Sequence, residues 1–384
     1  MGRHFSHLNS AVKVIDQYDG SLPFNNFIKA FFAKEKRYGS RDRKQIATLC
    51  YSYFRSGSLF KDADIREKII ASVFLAQESQ SDFLAELRPA LNEEISLSFN
   101  EKLSMLNKSV EQLFPLANHL SPKIDTELFV ASLLKQPFLF LRVRPGKNKI
   151  VEEKLTRASL PYLLVDKNCI SLSNSTKAEE ILMINEEVVV QDRNSQKVLD
   201  YLQENLLSKG ITAWDCCAAS GGKSILLYDI LHGEVRLTVT DIRETILSKL
   251  HTRLHNAGIK IENSYLTDLT KSGLPTEDTF DIIVCDVPCT GSGTWGRTPE
   301  QMFYFQKSKI QMYAAMQRQI IKNSITSMKK GSLFFYITCS VFSEENDQQV
   351  AFIKNNFEVK PVYVEYLKGY DQNADSMFVA VFKS

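Results

Sequence analysis

The sequence predicts an α/β protein: a parallel-type central sheet with helices on both faces, behind a small α+β region and an all-helical region. Three observations predict it. From residue 191 onward, short apolar and β-branched runs alternate with loops and helix-type stretches, the pattern of a parallel sheet with crossover helices. Residues 1–125 place apolar side chains at helical spacing. Residues 126–190 mix alternating, strand-type stretches with one helical stretch. The expected domains are therefore 1–125, 126–190 and 191–384, within the two or three that 384 residues allow.

The elements follow in order. Phe24, Phe27, Ile28, Phe31 and Phe32 mark one helix, and Ile46, Leu49, Cys50, Tyr53 and Phe54 another. Between them lies Tyr38-Gly39-Ser40-Arg41-Asp42-Arg43, where Gly39 ends one helix and Ser40 or Asp42 caps the next. Further helices are expected at 66–77 and 80–92, with Pro115 and Pro122 punctuating the end. In the middle region, FLFLRVRPGKNK (138–149) alternates and carries Arg142, Arg144, Lys147 and Lys149. A helix at 150–158 and strands at 162–165 and 181–190 complete it.

In the last region strands are expected at 211–216, 235–240, 261–265, 282–285 and 333–337. Helices are expected at 223–232, 243–256 and 299–328, with another starting near Glu344. Stretches 357–362 and 378–382 can supply edge strands.

Composition narrows the function classes. The chain is 44% hydrophobic, ample for a sizeable core. It has no apolar run of about 18 residues to span a membrane. Its first residues, MGRHFSHLNSAVKVIDQYDG, lack a secretory apolar stretch, so a cytoplasmic protein is expected. The seven cysteines are then reduced thiols, and with no CxxC pair structural zinc is not expected. Net charge is only +2, but residues 1–55 hold ten Lys/Arg against four Asp/Glu. Such a face suits phosphate contact, although solvated helix faces look similar. Arg41 and Arg43 at a helix start, and Arg142 and Arg144 on or beside a strand, are the candidates for holding a nucleic-acid backbone. Local pairing of Asp42 with its neighbouring arginines is the plain alternative.

Chemistry concentrates at strand ends, where open α/β sheets place their ligands. Ala219-Ser220-Gly221-Gly222-Lys223-Ser224 follows a strand and opens a helix, so backbone N–H groups can approach a ligand closely. Its spacing is neither that of a phosphate-binding Walker loop nor a good G-x-G-x-x-G. Asp241 closes the next strand and suits ribose hydroxyls, and Asp268 follows the third. Their order indicates a nucleoside cofactor and leaves NAD and S-adenosylmethionine equally open.

Two cysteines decide between them. FDIIVCDVPCTGSG (280–293) carries Cys289 after Asp286, and GSLFFYITCSVFSEE (331–345) carries Cys339. A strand-end cysteine is most simply a small buried hydrophobe, the reading that suits Cys216, Cys217 and Cys285. Cys289 and Cys339 instead lie in polar loops beyond their strands. Methylating carbon 5 of cytosine needs a thiolate on carbon 6, which makes carbon 5 nucleophilic, and then a base that removes the carbon-5 proton. Asp286 can stabilise the charge developing on the ring, and Pro288 stiffens the turn that aims Asp286 and Cys289. Either thiol can be the nucleophile on this reading.

DVPCTGSG (286–293), YITCS (336–340), DCCAASGGKS (215–224), VQDRNSQ (190–196), FLRVRP (140–145) and ENDQQV (345–350) resemble the RsmB/Nop/Sun family of RNA cytosine-carbon-5 methyltransferases. YGSRDRKQIATLCYSYFR (38–55) resembles the NusB-like helical RNA-binding domain of its bacterial ribosomal members. The resemblance implies a Rossmann-like, SAM-dependent methyltransferase domain behind a linker region and a NusB-like domain. It implies that Cys217, Ala218, Ala219, Ser220, Gly221, Gly222 and Lys223 hold the methionine part of S-adenosylmethionine, with Asp241 on the ribose and Asp268 on the adenine. Asp286 would lie between cofactor and base, Cys339 would be the nucleophile, and Cys289 would assist release. The chain departs from the family at Ser220, where a proline is usual, and at DSMFVA (375–380), where Asp-Gly-Phe-Phe is common.

A target base must leave its stack to react, and Trp295, Arg297 and loop 291–296 are expected to stack on or hold it, unless Trp295 packs inward. The expected substrate is RNA, 16S ribosomal RNA by the family's N-terminal domain. Transfer RNA and a non-catalytic RNA-binding assembly role are the alternatives. No obligate protein partner is evident from the residues.

Overall fold

The protein, a computed structural model, describes residues 2–60, 63–204 and 210–384. The chain forms two compact units: 1–120 with 125–136 and 294–307, and 121–124 with 137–293 and 308–384. The units cut the chain differently from the boundaries at 125 and 190, because Thr294–Lys307 leaves the sheet unit and the 137–190 region stays within it.

The first unit is helical. Helices Arg3–Asp16, Phe24–Lys34, Ser40–Arg55 and Ile65–Ala76 bury an aromatic-rich core that includes Phe24, Phe54 and Phe74. The stretch expected as a helix over 80–92 is two short ones, Asp82–Leu87 and Pro89–Glu93, since Pro89 cannot continue the first. Arg55, 6% exposed, donates from Nη1 to the Leu133 and Gly296 carbonyls, 2.8 Å each, and so ties its own stretch of this unit to the other two.

The expected helix over 299–328 is instead Pro299–Phe303 and Ser308–Ile325. Ring contacts accompany the interruption. Tyr304 packs edge-on to Tyr18, and Phe305 packs on Trp295 with ring centroids 4.8 Å apart.

The second unit contains both sheets. The smaller is four-stranded and antiparallel, ordered β2-β3-β1-β4, from β1 (Leu139–Val143), β2 (Leu163–Asp166), β3 (Cys169–Leu172) and β4 (Val188–Val190). Leu141, Val143, Val151, Ile170 and Val188 form its core. The strand expected over 181–190 is confined to β4. Asn185 adopts a positive φ of 72°, and the buried Glu187 carboxylate turns back to accept from Met183 N at 2.9 Å.

The larger sheet is seven-stranded, ordered β10-β11-β9-β8-β5-β6-β7. Its strands are β5 (Ile211–Asp215), β6 (Val235–Asp241), β7 (Asn263–Leu266), β8 (Phe280–Asp286), β9 (Met328–Thr338), β10 (Lys360–Leu367) and β11 (Met377–Lys383). β5 to β9 pair in parallel, while β10 and β11 add antiparallel strands at one side. This is the expected Rossmann-like architecture. Ile282, Val284, Phe335, Ile337 and Val379 are fully buried, as near-continuous apolar strands require. Chain order reverses between β5 and β8, and ligand crevices form outside the carboxyl ends at such a point.

Candidate active site

The two thiols meet at adjacent strand ends. β8 and β9 run in register to Asp286 opposite Ile337, and Val287 N still donates to the Ile337 carbonyl at 3.1 Å. Beyond Pro288 the chain turns, and Cys289 Sγ lies 3.3 Å from Cys339 Sγ, both half-buried. Gly293 N donates to the Cys339 carbonyl at 2.9 Å, and Ser376 N donates to the Gly293 carbonyl at 2.9 Å. A Cβ at Gly293 would stand 2.1 Å from the Ser376 oxygen, so only glycine fits between β8, β9 and β11 there.

A carboxylate ties the two cysteine loops together. Glu345, 0% exposed, accepts from Thr290 N at 2.9 Å, Thr290 Oγ1 at 2.5 Å and Gln317 Nε2 at 2.9 Å, and also from Ser340 Oγ. Thr290 follows Cys289 and Ser340 follows Cys339, so one side chain sets the position of both loops. Burial raises the Glu345 carboxyl above its usual range, against the lowering effect of these donors. Tyr336 Oη donates to the Glu345 carbonyl at 2.7 Å, and Asn346 accepts from Thr338 Oγ1 at 2.7 Å. Among the sequence candidates Glu345 was missed as a site residue. Its only signal was its place in ENDQQV.

Lys223 Nζ lies 2.6 Å from the Asp286 carboxylate beside the thiols. Burial works against the Lys223 charge, yet the Asp286 and Cys339 charges hold its ammonium above the ordinary range. The Cys289 thiol is pushed well up by its hydrogen bond with Cys339, by burial, and by the charges of Cys339 and Glu345. The pair is therefore unsymmetrical, with an ammonium beside one thiol and a carboxyl beside the other.

Loop 216–221 joins β5 to the Gly222–Ile230 helix through left-handed backbone at Ala219 (φ 44°) and Gly221 (φ 82°). An added Cβ at Gly222 would meet nothing within 4 Å, which leaves open space over the helix start. Asp215, 1% exposed, accepts from Ser224 Oγ at 2.6 Å and fastens the loop from beneath. Burial pushes its carboxyl up to about 7. Asp241 accepts from Ala219 N at 3.0 Å and from Arg243 N at 2.9 Å and Nε at 3.0 Å. Asp268 accepts from Thr270 Oγ1 at 2.6 Å and pairs with Lys271 at 3.1 Å. Cys217 and Ser220 lie on the same loop, Cys217 half-buried and Ser220 exposed. The structure thus gathers the loop, Lys223, Asp241, Asp286, Cys289 and Cys339 along the carboxyl ends of β5, β6, β8 and β9, with Asp268 beyond β7.

The expected phosphate-holding residues fare differently. Arg41 is exposed, while Arg43 donates from Nε to the Tyr38 carbonyl at 2.8 Å. Asp42 pairs with His7 at 2.9 Å and Arg3 at 3.4 Å. Arg142 and Arg144 do not line an open strand face. Arg142 is 5% exposed and donates to Asp229 at 2.6 Å and Gln191 at 2.8 Å. Arg144 donates to Asp229 at 2.7 Å and to the Asn185 carbonyl at 3.0 Å. Asp229, which the sequence did not single out, holds both guanidinium groups inward. Trp295 is fully buried between Phe114 and Phe305, so it offers no face to a base. Arg297 is half-buried, and both residues belong to the helical unit.

Residues 206–382 match the model of a methyltransferase family described as 16S rRNA methyltransferase RsmB/F. Ribosomal RNA small subunit methyltransferase B of Enterobacter sp. (strain 638) is 32% identical over 164 residues, 43% of this chain and 37% of that protein. The probable ribosomal RNA small subunit methyltransferase B of Bacillus subtilis is 28% identical over 196 residues, 50% of this chain and 43% of that protein. The chain thus spans less than half the length of these relatives. Among solved structures, PH0851 aligns with a TM-score of 0.74 at 18% identity over 98% of each chain. NSun6 from Pyrococcus horikoshii, solved with SFG, aligns with a TM-score of 0.59 at 16% identity over 70% of this chain and 96% of its own.

Proposed function

We propose that this chain, which through residues 206–382 belongs to the RsmB/F methyltransferase family, is a SAM-dependent RNA cytosine-carbon-5 methyltransferase acting on 16S ribosomal RNA. The observation that carries the reading is the pair of thiols 3.3 Å apart at neighbouring strand ends, beside the Lys223–Asp286 pair. A binding module needs neither thiol. The names of the relatives supply the substrate class.

The residues present fit S-adenosylmethionine. The loop over 217–223 leaves open space at Gly222, and Asp241, at the end of β6, stands where a ribose diol would exchange with the exposed Arg243 guanidinium. Asp268 would face the adenine. When bound, the cofactor supplies an electrophilic methyl group.

The protein's own groups do the remaining work. The Cys339 sulfur bonds to carbon 6 of the cytosine, and the ring's electrons move to carbon 5 and the carbonyl side. Asp286, held by Lys223, hydrogen-bonds the ring and stabilises that charge. After methylation a base takes the carbon-5 proton, the electron pair of that C–H bond re-forms the ring double bond, and the Cys339–carbon 6 bond breaks. Cys289 assists this release.

Covalent trapping tests the reading. Wild type, Cys339→Ala and Cys289→Ala are incubated with methyl-labelled SAM and cellular RNA, then denatured. The expected result is a protein–RNA adduct that accumulates in Cys289→Ala and is absent from Cys339→Ala. An adduct that requires Cys289 instead inverts the roles. RNA binding with no adduct or methyl transfer in any variant overturns the enzymatic reading.

A further inference from the structure

We infer a second ligand site, away from the thiols: an anion pocket that takes a phosphate group. An open recess of about 870 Å³ lies between the small antiparallel sheet and the end of the Gly222–Ile230 helix. None of the thiol, SAM-loop or Glu345 residues described above lines it. Cations dominate its wall: Arg142, Lys149, Lys167, Arg193 and Lys197, with His232 beside them.

Arg142 is the reason to read this recess as a built site. Its side chain is 6% exposed. Nε and Nη1 are engaged by Gln191 and Asp229, but Nη2 is buried with no hydrogen-bond partner among the described residues. A buried guanidinium donor without an acceptor destabilises the fold, and a ligand oxygen reaching it from the recess would recover that loss. The charge balance points the same way. Arg142 shares the one carboxylate of Asp229 with Arg144, so that acid does not by itself neutralise both guanidinium groups.

The rim adds to it. Asp166 lies 3.7 Å from Arg193 and 3.6 Å from Lys197, so that acid is shared between two cations. Asp200 and Asp229 are the other acids on the wall. Lys149 and Lys167 are exposed, and no ion pair engages them among the described residues. One unengaged guanidinium nitrogen at the base with exposed ammonium groups above suits a tetrahedral, multiply charged phosphate.

The phosphate is assigned to the backbone of the substrate RNA, and that assignment rests on the proposed function. The anion site itself does not. A free phosphorylated small molecule offers the same chemistry, and the experiment separates the two.

Full-length wild type and Lys149→Gln/Lys167→Gln are compared. Replacing Arg142 would break the buried pair with Asp229, so the rim variant carries the test. Binding of a labelled single-stranded RNA is measured against salt, and inorganic pyrophosphate is titrated with thermal unfolding as readout. If RNA fills the site, the variant's salt slope falls by about 1.4, at about 0.7 for each phosphate that is no longer neutralised, and affinity near 0.15 M salt falls roughly tenfold. If a free phosphorylated molecule fills it, pyrophosphate raises the wild-type unfolding temperature, the variant loses that rise, and the RNA slope is unchanged. RNA affinity and slope equal to wild type, together with no pyrophosphate effect on wild type, overturn the site. Methyl transfer is assayed on the same wild-type preparation. Absent transfer with an altered salt slope would sink the proposed function and leave the phosphate site standing.

Discussion

Replacing Glu345 by alanine should loosen both cysteine loops at once. Its carboxylate takes four hydrogen bonds, from Thr290 N, Thr290 Oγ1, Ser340 Oγ and Gln317 Nε2. Not all four donors would be stranded. Thr290 Oγ1 and Ser340 Oγ already lie 3.2 Å apart and can pair, and Gln317 Nε2 keeps the Pro288 carbonyl at 3.0 Å. The Thr290 backbone N–H alone loses its partner, at about 1–3 kcal/mol. The cavity left by a fully buried side chain adds about 1–2 kcal/mol on the scale of large-to-small core changes. The total, about 2–5 kcal/mol, lowers the unfolding temperature by roughly 10 °C at about 2–4 °C per kcal/mol for a domain of this class. Glu345→Gln keeps the acceptor for Thr290 N and should cost about half as much. Denaturant unfolding and calorimetry measure the stability. Cross-linking of Cys289 to Cys339 by a short bis-alkylating reagent measures the loop geometry, and its rate should fall in Glu345→Ala. A Glu345→Ala protein within about 1 kcal/mol of wild type, with an unchanged cross-linking rate, would refute the argument that this carboxylate positions both thiols.

The remaining predictions concern charge and redox. Asp215 titrates near 7 in the fold against 3.8 unfolded, so the stability it contributes is full below about 3.8 and is lost as pH rises to about 7. Asp215→Asn removes that loss: the stability of the variant relative to wild type should rise by roughly 4 kcal/mol between pH 4 and pH 8, at 1.36 kcal/mol per pH unit, and a pH-independent difference would refute the burial of a titrating carboxyl. Cys289 and Cys339, at 3.3 Å, need to close to about 2.05 Å to bond. Oxidised glutathione should link them, with peptide mapping showing this pair and methyl transfer returning on reduction; linkage of other cysteines with this pair left free would count against the geometry.

What the sequence showed and what it hid have physical causes. Strand ends were legible because β5, β8 and β9 are buried on both faces and read as unbroken apolar runs that stop at polar residues. The two thiols were legible because each follows such a stop. Glu345 was not, since its partners come from residues 290, 317 and 340, and no local pattern joins them. Arg142 and Arg144 misled for a related reason. Alternation in β1 says which side chains share a face, but their counter-anion, Asp229, lies on a helix more than 80 residues away. Loop 291–296 looked exposed because it is rich in glycine and serine. Close approach of backbone strands uses the same residues, and Ser292, Gly293 and Trp295 are buried. The return of Thr294–Lys307 to the helical unit leaves no mark in composition, since aromatic rings serve both cores.

The asymmetry around the thiols bears on the order of events in the proposed reaction. Two negative sulfurs 3.3 Å apart would repel by about 5 kcal/mol at an effective dielectric of about 20, so the pair carries at most one charge. The Glu345 carboxyl, together with burial and the hydrogen bond to Cys339, keeps the proton on Cys289. The charges of Asp286 and Cys339 hold the Lys223 ammonium above its ordinary range, so the cation sits on the Cys339 side of the pair. In the proposed reaction Cys339 is the nucleophile. Once its sulfur is bonded to carbon 6 it is a neutral thioether, and the part of the effect on Cys289 that came from Cys339, its hydrogen bond and its charge, is removed. Ionisation of the second thiol is thereby tied to consumption of the first. Cys289 becomes reactive after the adduct exists and not before, which is the timing that a release group needs and a competing nucleophile would lack.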